Sequence, residues 1–215
     1  MTIIRAARQT NGRGRGEKNF FSGHPGGLWV SIVTPISDIS THFEHNRAIS
    51  LAIHDSLKSI AGDKTPITIK WPNDIYWGDR KITGILLENI PDKPNVMIIG
   101  FGININIGID DFPKHLRSHA TSTLIETGHE VSPDQLLEEI INEYRQYLNS
   151  DDPAVVHKLY SGYLYKRGAK AVVNQYIGKF ITVDMDGRLR LEVDGKDVLL
   201  PSGALQFLED DENDE

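Results

Sequence analysis

Ile67-Thr68-Ile69-Lys70-Trp71-Pro72-Asn73-Asp74-Ile75-Tyr76-Trp77-Gly78-Asp79-Arg80-Lys81-Ile82-Thr83-Gly84-Ile85-Leu86-Leu87-Glu88 reads as one antiparallel ribbon. From Ile67 to Trp71 apolar and polar side chains alternate, the period of a half-buried strand. Pro72-Asn73-Asp74 interrupts that period and Ile75-Tyr76-Trp77 resumes it. Gly78-Asp79-Arg80 turns the chain, and Lys81 to Glu88 returns antiparallel. Gly84 lies in mid-strand, where it weakens the strand and buries no side chain. Such a glycine marks a place where a ligand crosses the backbone. Lysines open both parts of the ribbon, Lys70 in the first and Lys81 at the exit from the turn. Asn73 and Asp74 are also common turn formers.

Around the ribbon the pattern extends in both directions. Residues 2–6 and 27–33 read as strands, the second rich in β-formers and opened by Gly26-Gly27. Ile49, Ala52, Ile53, Leu57 and Ile60 fall at helical spacing within 46–60 and are expected in the core. Residues 96–104 add a strand. Residues 133–148 form an amphipathic helix with Ser132 as cap and Pro133 in its first turn. Residues 152–165 give another helix. Near Gly168 the period changes to short strands at 171–173, 180–185, 188–193 and 197–200, with Asp186-Gly187 and Asp194-Gly195 as hairpin turns. The expected boundary therefore lies at 168, between a main domain (1–168) and a small β-barrel (169–208). Residues 209–215 read as an acidic, solvated tail.

The chain has 215 residues and a net charge of −7, an acidic balance that argues against an extended nucleic-acid footprint. It contains no cysteine, which excludes a disulfide framework and a thiolate zinc site. No apolar run approaches membrane-spanning length, and the first residues lack a signal-peptide core, so a cytoplasmic protein that binds neither membrane nor nucleic acid is expected. His42 and His45 stand three apart, a metal-site spacing. They lack a third-ligand pattern, so they read as surface histidines and no metal site is expected. Ser22 and Ser31 lack a recognisable partner base, which sets aside serine-hydrolase chemistry.

Two further segments carry chemistry. Gln9-Thr10-Asn11-Gly12-Arg13-Gly14-Arg15-Gly16 places two guanidiniums among glycines, a loop that backbone and planar donors can wrap around an anion. Gly100-Phe101-Gly102-Ile103-Asn104-Ile105-Asn106 ends a buried strand in small residues and two amides able to read a polar ring edge. Together the three segments suit the joining of two anions, a carboxylate and a nucleotide α-phosphate. Fixed cations between them offset their repulsion and stabilise the transition state, and no nucleophilic side chain is required. Orientation contributes a further ~7–11 kcal/mol in well-placed pairs.

These segments, with Gly27-Leu28-Trp29-Val30-Ser31 and Ala120-Thr121-Ser122-Thr123-Leu124, resemble the successive motifs of biotin protein ligases along nearly the whole chain. The resemblance implies an α+β fold, a mainly antiparallel sheet flanked by helices in the manner of class II synthetases, followed by an SH3-like β-barrel. It implies that biotin and ATP give biotinyl-5′-AMP and pyrophosphate, with Mg2+, and that the biotinyl group passes to a lysine of a biotin carboxyl carrier domain. By position, Gln9, Gly12, Arg13, Gly14, Gly84 and Leu86 would line the biotin pocket. Arg15, Lys18, Lys70, Asp74, Lys81, Gly102 and Asn104 would serve the nucleotide, Asn104 at the adenine. Lys81 would bridge carboxylate and α-phosphate, assisted by Arg15 and Arg13.

The chain departs from the family pattern in two places. Gly16-Glu17-Lys18-Asn19-Phe20-Phe21-Ser22 stands where a further Gly-Arg pair and a tryptophan are usual, so Lys18 would supply the charge and Phe20 the cover. The family's earlier strand and helix, with a Ser/Thr-Thr-Asn segment, would precede residue 1. The expectation is thus a short form without a DNA-binding domain, and an unpaired sheet edge that invites a homodimer. Two other readings stay open. One is a lipoate ligase or octanoyltransferase, which shares the fold but generally lacks the Gly/Arg loop and Lys-Trp-Pro-Asn-Asp. The other is a non-catalytic module for biotin or its adenylate, or half of a split enzyme.

Overall fold

The ribbon is the outer part of a six-stranded antiparallel sheet. In the computed structural model, which describes residues 1–16, 19–62 and 66–208, its strands are β1 (Thr2–Ala6), β2 (Gly27–Pro35), β3 (Ile67–Lys70), β4 (Asp74–Trp77), β5 (Arg80–Ile90) and β6 (Lys93–Asn104). They stand in the order β1-β2-β6-β5-β4-β3. The turn after β4 is two residues long, Trp77 pairing with Arg80, and Gly78 takes the positive φ of 59° that such a turn demands. Lys18 and the acidic tail 209–215 lie outside the described residues.

Helix α1 (His42–Ala61) runs four residues further towards the N-terminus than its apolar spacing suggests, and it packs on the sheet with α3 (Pro133–Leu148). The short α2 (Thr123–Thr127) lies between them in sequence. Ile49, Ile53 and Leu57 are fully buried, as expected of the stripe. Leu136, Ile140, Ile141 and Tyr144 bring the apolar face of α3 onto the same core. Each such side chain contributes about 1.5–3 kcal/mol on burial. Ser132 caps α3 by accepting from the Gln135 amide, with Pro133 in the first turn.

His45 departs from the surface reading. It is buried, its Nδ1 2.6 Å from the Tyr144 hydroxyl, because α1 is covered on more than one side. Burial lowers its pKa, with a smaller contribution from His42. It is a structural histidine of the α1–α3 seam.

Helix α4 (Pro153–Gly162) stops three residues before the expected end. Beyond it the chain lies against the outer edge of β3. The Ile69 amide donates to the Tyr163 carbonyl at 2.8 Å and the Tyr165 amide to Ile69 at 2.9 Å. The open edge of β3 thus takes backbone hydrogen bonds that a longer helix would have kept inside itself. At the opposite side β1 is an edge strand with Ile3 and Ile4 exposed.

The remaining strands are β7 (Lys170–Val173), β8 (Tyr176–Val183), β9 (Leu189–Val193), β10 (Lys196–Leu200) and β11 (Leu205–Phe207), ordered β10-β9-β8-β7-β11. Short alternating segments and Asp-Gly turns made the first four legible, whereas three-residue β11 gave no signal of its own. Phe180, Val183, Leu189 and Leu191 form the centre of this small β unit, and Leu51 of α1, Ile69 of β3 and Trp71 join the same cluster. The Trp71 indole Nε1 donates to the Gly187 carbonyl at 3.0 Å, so the Trp-Pro turn is fastened to the β8–β9 hairpin. Among the described residues no helix is long and apolar enough to cross a membrane.

Candidate active site

Gly84 and Gly102 are cross-strand partners in the middle of the sheet, and Asp74 stands opposite Gly84 on its other side. Two facing glycines leave a patch of bare backbone. A Cβ on Gly102 would come within 2.4 Å of Phe20 Cε1, and one on Gly84 within 2.8 Å of Phe20 Cε2. The Phe20 ring reaches this floor with its Cε1 and Cε2 atoms and packs edge-to-face with Trp29 at 6.1 Å between centroids. Small residues are required because an aromatic ring approaches the backbone directly. Phe20 thus packs on the glycine pair and on Trp29.

Above the floor is a cavity of about 430 Å³. The ribbon, the Gly/Arg loop, the end of β6 and the Ala204-Leu205-Gln206 segment close it. Of the residues singled out from sequence, Gln9, Arg13, Gly14, Arg15, Lys70, Asp74, Lys81, Gly84, Leu86 and Gly102 all line this one space. Segments more than 80 residues apart in the chain thus converge on a single site.

Lys81 is the most firmly placed of the cations. Its Nζ is 2.7 Å from Asp74 Oδ1 and 5.6 Å from the centre of the Phe20 ring. Its backbone is tied on the outer side as well: the Lys81 amide donates to His119 at 2.8 Å and its carbonyl accepts from Thr121 at 3.0 Å. Asn73 staples the Trp-Pro turn to β5. Its carbonyl accepts from the Ile85 amide at 2.8 Å, and its side-chain Nδ2 donates back to the Ile85 carbonyl. The turn that carries Asp74 is therefore rigid.

The Gly/Arg loop is held differently. Gln9 donates its amide to Ser22 at 2.8 Å and Phe20 to Gly12 at 2.9 Å, which folds the loop into a narrow hairpin. Arg13 pairs with Glu88 on the cavity wall at 3.0 Å. Arg15 Nη1 donates to the Gly203 carbonyl at 3.1 Å, reaching across to the small β unit. Each guanidinium rests on one such contact, Arg13 on Glu88 and Arg15 on Gly203, and a bound anion can replace it.

Lys70 is half-buried, and burial pushes its pKa down, offset in part by Asp74. Tyr76, 3.5 Å from its ammonium, has its phenol pushed up to about 12 by burial and by the same Asp74 charge.

Two sequence candidates do not face the cavity. Gly12 is buried in the loop hairpin, where a Cβ would meet Ser22 Oγ at 2.0 Å and the Phe20 carbonyl at 2.4 Å. Its smallness serves the loop's own closure. Asn104 is also buried, and its Nδ2 donates to the Thr121 carbonyl at 3.0 Å. Thr121 in turn holds the Lys81 carbonyl, so Asn104 stands two hydrogen bonds behind the lysine. The family resemblance implies an adenine-facing amide at this position. The 120–123 segment covers that face and takes up the amide first.

Several lining residues carried no sequence signal of their own. Glu88 is one, legible only once Arg13 is seen opposite it. Asn11, Asn19 and the Ala204–Gln206 wall are others. Ser31 also lines the cavity, though sequence gave it no role. Among the described residues no group of three or more His, Asp or Glu side chains is arranged to hold a metal ion.

Residues 1–106 match the sequence model of the biotin/lipoate A/B protein ligase family. The first half of the chain is thus similar to that family. The bifunctional ligase/repressor BirA of Bacillus spizizenii is 30% identical over 202 residues, covering 89% of this chain and 61% of that protein. The biotin--[acetyl-CoA-carboxylase] ligase of Paracoccus denitrificans is 29% identical over 140 residues, 63% of this chain and 58% of the relative. The chain thus spans about three-fifths of the length of these curated relatives. Among solved structures, the biotin protein ligase of Aquifex aeolicus in complex with biotin and ATP superposes with a TM-score of 0.82 at 22% identity, covering 96% of this chain and 89% of that one. The α+β architecture with an antiparallel sheet flanked by helices is the fold of that enzyme.

Proposed function

We propose that this chain is a biotin protein ligase, which activates biotin with ATP and transfers the biotinyl group to a lysine of a carrier domain. The observation that carries the proposal is the convergence of Arg13, Arg15, Lys70 and Lys81 on one cavity floored by the Gly84–Gly102 pair. An apolar acyl group fits in the cavity beside the Phe20 ring that rests on the Gly84–Gly102 floor, and the surrounding cations receive two anions. In the first step a biotin carboxylate oxygen attacks the α-phosphorus. The new O–P bond forms as the bond to the β-phosphate breaks, and pyrophosphate leaves with its charge. Lys81 stands between the two anions and Arg13 and Arg15 close over them. Their fixed positive charge is worth most where water is excluded. In the second step the carrier amine attacks the acyl carbon, releases a proton and displaces AMP.

Gln9, Gly14, Gly84 and Leu86 are assigned to the biotin side, and Lys70, Asp74 and Gly102 to the nucleotide side. Asn104 and Gly12 are assigned a supporting role, the first behind Lys81 and the second inside the loop. Mg2+ would enter on the triphosphate and neutralise part of its charge. Such an ion needs only one or two protein carboxylates beside phosphates and water, and Asp74 and Glu88 are the cavity carboxylates that fit.

The matching family joins biotin and lipoate ligases, so a lipoyl substrate is the second reading. ATP–pyrophosphate exchange with the purified chain separates the two. Exchange that depends on biotin is expected; exchange with lipoate and none with biotin would overturn the assignment.

A further inference from the structure

Lys70 is held by aromatic faces where Lys81 is held by a carboxylate. Its Nζ lies 5.2 Å from the centre of the Tyr76 ring and 5.7 Å from that of Phe207. Tyr165 backs the box, stacked on Tyr76 at 4.8 Å and edge-on to Phe207 at 5.5 Å. Asp74, the nearby acid, is ion-paired to Lys81. The three rings come from separate elements: Tyr76 from β4, Tyr165 from the segment along the β3 edge, and Phe207 from β11.

A ring face attracts an ammonium group electrostatically without consuming its N–H donors. A carboxylate partner would neutralise the charge and occupy a donor. Lys70 Nζ gives one N–H to the Tyr76 hydroxyl at 3.5 Å, and a box of this kind leaves its other donors to be offered to a phosphate. Phe207 differs from the other two rings in belonging to the C-terminal sheet. The residues before it, Ala204, Leu205 and Gln206, form one wall of the cavity, and β11 is the edge strand that turns the C-terminal sheet towards it. Phe207 is itself positioned by pairing with Ala171 and by its contact with Phe180 at 6.2 Å.

We propose that Phe207 is a positioning residue for Lys70, so that the C-terminal sheet sets the cation that receives the nucleotide phosphates. This rests on the ligase reading for the identity of the anion, but the placement of Lys70 by Phe207 does not. Docking of the C-terminal sheet and capture of the nucleotide are then coupled through one side chain.

Two measurements test it. Reductive methylation of the chain with 13C-formaldehyde gives each lysine a dimethyl signal, and Lys70→Arg identifies the one from Lys70. In the wild-type chain that signal is expected upfield of the exposed lysines, from the ring currents of Tyr76 and Phe207. Phe207→Leu should move it towards them and Phe207→Tyr should keep it. In exchange assays Phe207→Leu should raise the KM for ATP about 3- to 10-fold, with kcat changed by less than about twofold. The KM for biotin should stay within the same margin, and Phe207→Tyr should restore the KM for ATP. In a Lys70→Met background Phe207→Leu should add nothing further.

A Lys70 signal unmoved by Phe207→Leu would overturn the proposal. So would a rise in both KM values that tracks a fall in Tm, since that marks a merely structural side chain. If the wild-type chain shows no exchange at all, the ligase reading fails, and the methyl signal alone decides whether Phe207 places Lys70.

Discussion

The ribbon and the Gly/Arg loop both deliver cations to the same cavity, but they hold them by different means. Lys81 sits on a strand whose backbone is bonded on both sides, and its ammonium is fixed by Asp74 at 2.7 Å. Arg13 and Arg15 ride on a hairpin joined through Gln9–Ser22 and Gly12–Phe20, and their guanidiniums rest on Glu88 and the Gly203 carbonyl. A rigid cation costs no reorganisation when charge develops on the substrate. A cation on a loop can withdraw to admit ligand and return to cover it. The site needs both, one to define the reacting position and one to enclose it.

If that division is right, damage to the ribbon should exceed damage to the loop. Lys81→Met removes the fixed charge and should lower the exchange rate about 100- to 1000-fold, with an unfolding midpoint close to wild type in a thermal melt. The floor comes next. Gly102→Ala places a Cβ 2.4 Å from the Phe20 ring and 2.9 Å from Trp29, which is buried and cannot retreat. Overpacking of this kind costs about 1–3 kcal/mol, and a urea titration should show it as a lower midpoint with an unchanged slope. A midpoint equal to wild type would mean that the floor is not packed as described.

A smaller effect concerns acid. His45, His42 and His157 all have pKa values lowered from 6.5, chiefly by burial. Each resists protonation when folded and accepts it when unfolded. The unfolded state therefore binds more protons below pH 6.5, and stability present above that value is lost as pH falls through it. Melts across pH 5 to 8 should show this slope, and His45→Gln should flatten it. The smallest effect is expected at the loop latch. Glu88→Gln frees Arg13 from a partly exposed pair and should change stability by less than about 1 kcal/mol. Its signature is instead faster protease cleavage within residues 12–16 in the absence of ligand.

Much of the ribbon and the Gly/Arg loop was legible because their chemistry is local. A strand period, a two-residue turn and a mid-strand glycine can be read without knowing what lies opposite. The placement of Lys81, Gly84 and Arg13 in a common cavity follows from those signals once the strands pair. What sequence could not supply are the partners that arrive from far along the chain. Glu88 faces Arg13 across 75 residues, and Arg15 meets Gly203 across 188. Asn104 looked free to meet a ligand because nothing in its own strand shows that Thr121 will cover it. His45 looked exposed for a similar reason, since Tyr144 lies 99 residues away. Strand β11 is too short to carry a period of its own, yet it supplies a wall of the cavity.

The most direct test of the central claim is to incubate the chain with biotin and α-labelled ATP and to measure biotinyl-5′-AMP retained on the protein. The account predicts that wild-type chain accumulates the adenylate and Lys81→Met does not. Equal amounts of adenylate on both would contradict it.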